Sequence, residues 1–316
     1  MILNRYWNRF LIASTVALAL ASLVPLFGHI APWLELFVHF KVHYIFASII
    51  LVLAAIKMRR HGIATAALFL AGLNAATVMP SFTNTSAAAA TATDTPNLKL
   101  INLNILETNP SPDSVIDFLR REHADIVVLE EVTPRWVENL KTLADVYPHM
   151  LFCDGSSRCD LSLLSKNPWQ FAEVRKLSET GPHAIVAKYD LRGLSFTLLG
   201  THLDPPTPSH RDHEHFHNEH VRKLSAILRS IDGPLIVAGD LNATQWSPSF
   251  NRIIEGTGLK RVDGGLLPTW PSQLSLIGIP IDQILTTEEF KGSTMMVGPQ
   301  VNSDHLPLIA NLRIKG

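Results

Sequence analysis

Three uncharged apolar runs near the N-terminus set the first limit on what this chain can become. Residues 10–34 contain no Asp, Glu, Lys or Arg. A membrane helix needs about 20 mostly apolar residues, so this run is long enough to span. Residues 42–56 form a second run, which 36–40 extends if Lys41 snorkels. Residues 62–82 form a third. A cleaved signal peptide has one apolar core of about 7–15 residues and a small-residue cleavage site. Three successive runs do not fit that, and they predict three transmembrane helices. The plainer alternative is a buried helical domain. Run length and basic flanks count against it. Arg5 and Arg9 precede the first run, and Lys57, Arg59 and Arg60 lie between the second and third. The positive-inside rule puts both groups in the cytoplasm. The sequence therefore predicts a multi-pass protein of the cell (inner or plasma) membrane, with the bilayer as partner. Everything after the third span is expected on the extracytoplasmic side. His43 and Asn74 fall inside spans, where helix–helix hydrogen bonds are their ordinary use.

The charges follow the same division. The chain is 47% hydrophobic and 17% charged, against about 25% charged in a typical soluble domain. Residues 1–96 hold 6 Lys/Arg and 2 Asp/Glu, which leaves 21 and 26 for residues 97–316, a net of −5. That is not the composition of a disordered tail. It also argues against tight nucleic-acid binding, which needs basic residues to neutralise phosphates. Two cysteines exclude a disulfide-dense scaffold and a four-cysteine zinc site. Residues 83–96 read TNTSAAAATATDTP, small and polar, as a linker does. The expected organisation is a membrane domain over 1–82, a linker over 83–96 and a catalytic domain over 97–316. No internal repeat is visible, and oligomeric state is not encoded legibly.

Beyond the linker, short apolar runs alternate with helical patterns. Strands are predicted at 98–105, 125–129, 195–200, 234–238, 281–285 and 306–310, and helices at 114–121 and 219–231. Continuous Val/Ile/Leu runs of this length suit strands buried on both faces. About 220 residues are enough to bury a substantial core. The result is an α/β sandwich. Five of the runs meet carboxylate, amide or imidazole groups. DIVVL runs into Glu130 and Glu131, FTLLG into His202 and Asp204, and LIVAG into Asp240 and Asn242. Asp282 lies within IPIDQIL, and Ser303, Asp304 and His305 precede LPLIA. Turn formers explain any single cluster. Five together suggest strand ends converging on one crevice. Glu, Asp and Asn oxygens are hard ligands that suit Mg²⁺ or Mn²⁺, and histidines beside carboxylates suit proton transfer. No G-x-S-x-G elbow, P-loop or G-x-G-x-x-G is present. Metal-assisted hydrolysis of a phosphate ester is the economical reading.

In order and spacing, the motifs INLNIL (101–106), IVVLEEV (126–132), LSLLSKNP (161–168), GTHL (200–203), AGDLNAT (238–244), PIDQIL (280–285) and SDHLPL (303–308) resemble the endonuclease/exonuclease/phosphatase (DNase I-like) family, here in a membrane-anchored bacterial form. The resemblance covers residues 97–316. It implies a four-layer α/β sandwich of two central mixed sheets, with the active site at one edge of both. It further implies that Asn104, Glu131 and Asp304 hold a divalent metal, Mg²⁺ or Mn²⁺. His202 would contact the phosphate and protonate the leaving group. Asp240 and Asn242 would orient water and hold the phosphate, and Asp282 would support the catalytic His305. Two positions depart from the pattern at the site: Glu130 stands where Gln is usual, and Leu106 where an Asp is sometimes found. Gln283 replaces the usual His after Asp282. The implied activity is metal-dependent hydrolysis of a phosphate ester by in-line attack of water, activated by either His305 or Asp240. Membrane-anchored relatives suggest lipid-linked or envelope phosphates as substrate. A secreted-side nuclease and a non-catalytic binding domain with the same fold are the alternatives.

Two local features remain. Six histidines lie between 202 and 220, namely His202, His210, His213, His215, His217 and His220. Such tracts can bind Zn²⁺ or Cu²⁺, and a surface loop leading into a helix is the plainer reading. Cys153 and Cys159 bracket DGSSR. Five residues allow a chain reversal that brings the Cα atoms within about 7 Å. An extracytoplasmic domain is where disulfides persist, so a disulfide is expected between them.

Overall fold

A helix that is apolar on every side has nowhere to put its side chains except lipid or a large core. The first part of the chain is made of such helices. The structure, a computed structural model, describes residues 2–28, 30–83, 98–153, 159–177, 181–207 and 213–314. The predicted linker falls almost wholly on residues 84–97, outside these. Helix α1 spans Ile2–Leu23, α2 Lys41–Lys57, α3 His61–Val78, and a short α4 Pro80–Thr83. A 3-10 stretch over Pro32–Phe40 leads into α2, so the predicted second span is helical throughout but tighter in its first part. Three segments, Arg5–Phe27, Pro32–Lys57 and His61–Thr83, are long and apolar enough to cross a membrane. Phe10, Leu20, Phe46, Ile50, Leu53 and Phe69 stand exposed on them. Inside the bundle, Asn74 Nδ2 donates to Ser22 Oγ at 2.9 Å, tying α3 to α1.

The chain divides into two compact units, the first drawn from residues 1–83 with short pieces at 206–215 and 246–248, the second from the remainder. The second contains, in order, β1 (Leu98–Asn104), α5 (Pro112–Glu122), β2 (Ile126–Glu130), α6 (Pro134–Leu140), β3 (His149–Phe152), β4 (Ser162–Ser165), β5 (Phe171–Lys176), β6 (His183–Leu191), β7 (Leu194–Thr201), α7 (His213–Arg229), β8 (Leu235–Asp240), α8 (Pro248–Ile254), β9 (Lys260–Arg261), β10 (Asp282–Thr286), β11 (Thr294–Val297) and β12 (Leu308–Leu312). One six-stranded sheet has the order β11-β12-β1-β2-β4-β3, and the other β5-β6-β7-β8-β10-β9. Both are mixed: β1 and β2 run parallel, as do β7 and β8, and the remaining pairs are antiparallel.

Period-2 alternation explains the layering. Leu98 and Leu100 of β1, Ile126 and Val128 of β2, Leu198 of β7, Ile236 and Ala238 of β8 and Ile284 of β10 share one core between the sheets. The alternate residues face outward. Ile101, Leu103, Val127 and Leu129 pack with Val115, Phe118 and Leu119 of α5 and Trp136 of α6. Leu199, Val237 and Leu285 pack with Val221, Leu224 and Leu228 of α7 and Phe250 of α8. This is the four-layer sandwich. Helix α5 shows the local logic: Pro112 opens it, Asp113 sits in its first turn, Arg120 and Arg121 in its last, and His123 closes it in the left-handed conformation at φ 50°.

The strand expected at 306–310 begins at Leu308. Pro307 has no N–H to give the ladder, and Leu306 N donates to Thr269 O at 2.9 Å instead. Strands approach closely at two glycines. A Cβ on Gly200 would lie 2.9 Å from Val128 Cγ1 of the facing sheet, and one on Gly239 would lie 1.8 Å from Thr201 O. Backbone cannot yield there as a side chain can. Gly239→Ala should therefore destabilise the fold by at least the ~1–3 kcal/mol typical of overpacking, read as a lowered midpoint in denaturant or thermal unfolding.

Candidate active site

The inward rows of five strands end in polar side chains. In β1 the row runs Leu98, Leu100, Asn102, Asn104, and in β2 Ile126, Val128, Glu130. In β8 it ends at Asp240, β7 is followed by His202, and β10 begins at Asp282. The mixed topology brings these together. β1, β2, β7 and β8 end at one edge, and the antiparallel β4, β10 and β12 begin there. The register places Asp282 directly opposite Asp240.

Two imidazoles flank Asp240. His305 Nδ1 lies 2.9 Å from Asp282 Oδ2, and its Nε2 is 3.6 Å from Asp240 Oδ2. His202 Nδ1 lies 2.7 Å from Asp160 Oδ2, and its Nε2 is 3.7 Å from the same Asp240 oxygen. Asn104 Nδ2 approaches that oxygen at 3.4 Å. Asp240, Asp282 and His305 are buried. Burial alone would lower the His305 pKa, but Asp282 and Asp240 overcome it and raise it to about 10. Burial likewise opposes the charge on His202, and Asp160, aided by Asp240, holds its pKa well above the ordinary 6.5. Burial and the neighbouring Asp282 raise Asp240, with His305 and His202 pulling the other way. Asp240, Asp282 and His305 each offer a ligand atom within 4.8 Å of one another, a group that could hold a metal ion.

Asp160 was not among the residues expected here. It lies between Cys159 and β4, and its carbonyl accepts from Val132 N at 2.8 Å. The signal was a carboxylate just before a buried strand, which in an antiparallel strand reaches the same edge as a carboxylate after a parallel one. The preceding Cys159 is bonded to Cys153 with Cα atoms 5.4 Å apart. The residues between, 154–158, lie outside those described.

Glu131 leaves the strand with φ 61°. The left-handed backbone breaks the alternation, and its carboxylate accepts from Asn104 Nδ2 at 2.8 Å and Glu107 N at 2.9 Å. Leu106 is also left-handed, at φ 60°, its N–H donating to Asn104 Oδ1. Non-glycine residues in this region cost about 1–3 kcal/mol each and concentrate at functional sites. Glu130 is fully buried, and neither carboxylate oxygen has a hydrogen-bond partner. Burial, then the nearby Asp282 charge, pushes it well above the usual carboxylate range and favours the neutral acid. In that form it is close in shape and charge to the Gln usual at this position.

Asn242, at φ 46°, donates from its backbone to Asp240 Oδ1 at 2.9 Å and from Nδ2 to Leu203 O at 2.7 Å. It ties the ends of β7 and β8 together. Asp304 Oδ2 accepts from Trp270 Nε1 at 3.1 Å, while its Oδ1 is buried without a hydrogen-bond partner. Ser303 Oγ donates to Asn104 O and accepts from His305 N, fixing this loop to β1. Gln283 is structural: it donates to Ala243 O and Pro280 O and accepts from Arg261 Nε. Of the histidine-rich segment, His217 and His220 are buried. His217 lies 2.7 Å from Asp204 O and 3.0 Å from Ser249 Oγ. His210 lies outside the described residues, and His213 and His215 fall on α7.

The His202–Asp160 pair carries a pH signature. A histidine whose folded pKa is raised contributes stability that is present in full below its unfolded value and lost as pH rises through the folded one. Asp160→Asn should therefore be less stable than the parent at pH 5.5 to about 6.5, with the difference shrinking at higher pH. Thermal unfolding across that range checks it, and imidazole NMR should show the His202 pKa falling.

The family model of the endonuclease/exonuclease/phosphatase family matches residues 97–305. Among solved structures, beta toxin from Staphylococcus aureus, as a double mutant with bound magnesium ions, is 18% identical with a TM-score of 0.56, covering 69% of this chain and 99% of that one. Sphingomyelinase C from Streptomyces griseocarneus is 17% identical with a TM-score of 0.55, covering 68% and 99%. D. rerio TDP2 complexed with a single-strand DNA product is 17% identical with a TM-score of 0.54, covering 68% and 98%. No curated protein matches the chain at the sequence level. With two mixed sheets whose polar strand ends meet at one edge, and a family match spanning most of that domain, the chain belongs to the endonuclease/exonuclease/phosphatase family.

Proposed function

We propose that this protein is a membrane-anchored, divalent-metal-dependent phosphoesterase that hydrolyses its substrate by in-line attack of water. The observation that carries the reading is the convergence of two histidines, each held through Nδ1 by its own carboxylate, on the single buried carboxylate of Asp240. That pairing fixes ring orientation and favours the cationic imidazole. Asp240 accepts the proton of the attacking water. The Nε2 ends of His202 and His305 donate to the phosphoryl oxygens and the leaving oxygen. Asn242 holds Asp240 in place from its backbone N–H.

Asn104, Glu131 and Asp304 would hold the metal. Their donor atoms are all hard oxygens. Among the described residues, Asp304 Oδ1 is buried without a hydrogen-bond partner, and each Glu131 oxygen accepts a single hydrogen bond. Such atoms suit a cation. When bound, Mg²⁺ or Mn²⁺ would offset charge on the phosphoryl oxygens. Asp282 and His305 are engaged with each other, which favours acid–base work for that pair over ligation. We assign the membrane domain to 1–82, the linker to 83–96 and the catalytic domain to 97–316. The basic flanks of the spans put the catalytic domain outside the cytoplasm. A phosphate ester carried on a lipid or other envelope component fits that placement.

His305→Ala and Asp240→Asn should each lower kcat on bis-p-nitrophenyl phosphate by about 10²–10⁴-fold. EDTA should abolish turnover, and Mg²⁺ or Mn²⁺ should restore it. A folded His305→Ala variant with full activity overturns the assignment. A panel of DNA, phospholipid, lipid pyrophosphate and inositol phosphates then separates substrate classes.

Orientation has its own test. A cysteine introduced as Thr85→Cys should react with a membrane-impermeant maleimide in intact cells. Cys153 and Cys159 should stay unlabelled in denatured, unreduced protein and label after reduction. Labelling at position 85 only after lysis places the catalytic domain in the cytoplasm instead.

A further inference from the structure

Leu276 is 99% exposed, more than any other large apolar side chain described. Leu274 at 55% and Ile277 at 59% stand beside it. The second unit exposes only three other large apolar side chains among its described residues, Phe171, Leu266 and Met296. Three of these six side chains therefore fall within residues 274–277. No charged residue lies between Asp263 and Asp282.

This loop is built, not frayed. Thr269 N and Trp270 N donate to Ile279 O, and Ile279 N donates back to Trp270 O at 2.6 Å, closing the base. A Cβ on Gly278 would lie 2.9 Å from Trp270 O, so the closure requires glycine there. Ser272 N donates to Asp304 O at 2.7 Å, and Ser272 Oγ to Ser303 O at 2.6 Å. Trp270 Nε1 donates to Asp304 Oδ2. The backbone that carries the apolar tip is thus hydrogen-bonded to the segment that carries Asp304 and His305.

A cluster of leucines held in water on a fixed base has no role in the core and marks a contact with something apolar. The chain itself names the occupant. It carries three helices long and apolar enough to cross a membrane, and helices that span would tether the same chain to a bilayer. An uncharged loop enters the headgroup–acyl boundary without the cost of desolvating an ion. We propose that the loop over 271–278 docks on the lipid bilayer, with Leu274 and Leu276 in the interface and the active-site edge held at the membrane surface. The substrate consequence, a phosphate ester presented from the lipid surface, rests on the phosphoesterase reading. The docking itself rests on the loop and on the three apolar helices.

The test uses the full chain in phosphatidylcholine–phosphatidylglycerol vesicles. Single cysteines are introduced as Leu276→Cys and, for comparison, at the exposed Lys260 as Lys260→Cys. Each is labelled without reductant with an environment-sensitive fluorophore. The Leu276 probe should be quenched by a shallow nitroxide lipid about threefold or more over the Lys260 probe, and shielded from aqueous iodide. If it is quenched by iodide like the Lys260 probe, the loop stands in water and the proposal fails. If it is shielded from both quenchers, a protein surface covers it and the proposal also fails. Neither readout uses turnover, so loss of the phosphoesterase reading would leave this result standing, and the reverse.

Discussion

A carboxylate buried between two β-sheets must be met by a cation, a proton or a set of hydrogen bonds, because isolated charge in such a place costs far more than the fold can spare. Asp240 and Asp282 are each about 2% exposed or less, and Glu130 is fully buried. Among the described residues, no Arg or Lys forms an ion pair with them, and the ion-pair partners of Asp240 and Asp282 are histidines. The compensation comes from His202 and His305, and a second carboxylate at the far nitrogen of each, Asp160 or Asp282, favours the charged imidazole. Glu130 is met differently, by keeping its proton. No member of this set is tolerable alone. The site therefore behaves as one network, in which removing a histidine strands a carboxylate as well as deleting a donor.

The same requirement explains the scaffolding around it. Asn242 fixes Asp240, Ser303 fixes the loop before His305 to β1, and Trp270 fixes Asp304. These groups need not touch a substrate to matter. They hold the two imidazoles 3.6–3.7 Å from Asp240, separations that side chains free to move would not keep. The left-handed backbone at Glu131 and Leu106 belongs to the same set of constraints: it turns one carboxylate back toward Asn104 where the strand's alternation would have sent it away.

How much of this could be read beforehand follows from where the information sits. Central strands announce themselves, because DIVVL and LIVAG are apolar on both faces and their polar termini contrast sharply with them. Edge strands do not. β5 reads FAEVRK, and β9 is only Lys260–Arg261, so pairing alone creates them. Asp160 stands alone before LSLLS, where a single Asp reads as an ordinary turn former. Only the antiparallel pairing of β4 with β2 brings it to the edge. Asn242 lies beside Asp240 as its motif implies, yet its amide is committed to Leu203 O, which no motif conveys. The histidine-rich segment shows the opposite error of emphasis: at His217 and His220 the pattern marks a buried helix face, where imidazoles satisfy local polar groups.

Charge at the sheet edge gives a reason for a divalent ion that does not depend on resemblance. With Glu130 neutral, Glu131, Asp160, Asp240, Asp282 and Asp304 bring five carboxylates to the edge, and His202 and His305 bring two imidazoles. Even with both imidazoles protonated, a negative surplus remains. A phosphate ester is itself an anion, and at effective dielectric constants of about 20 two like charges 4 Å apart repel by about 4 kcal/mol. If the substrate is the phosphate ester proposed above, two histidines alone would not offset that repulsion. A divalent ion held by Glu131 and Asp304, as proposed, would remove most of the surplus. On the proposed reading the labour divides between Asn104, Glu131 and Asp304 for the cation and the two His–Asp pairs for protons, with Asp240 touched by both sets through Asn104 and the two imidazoles.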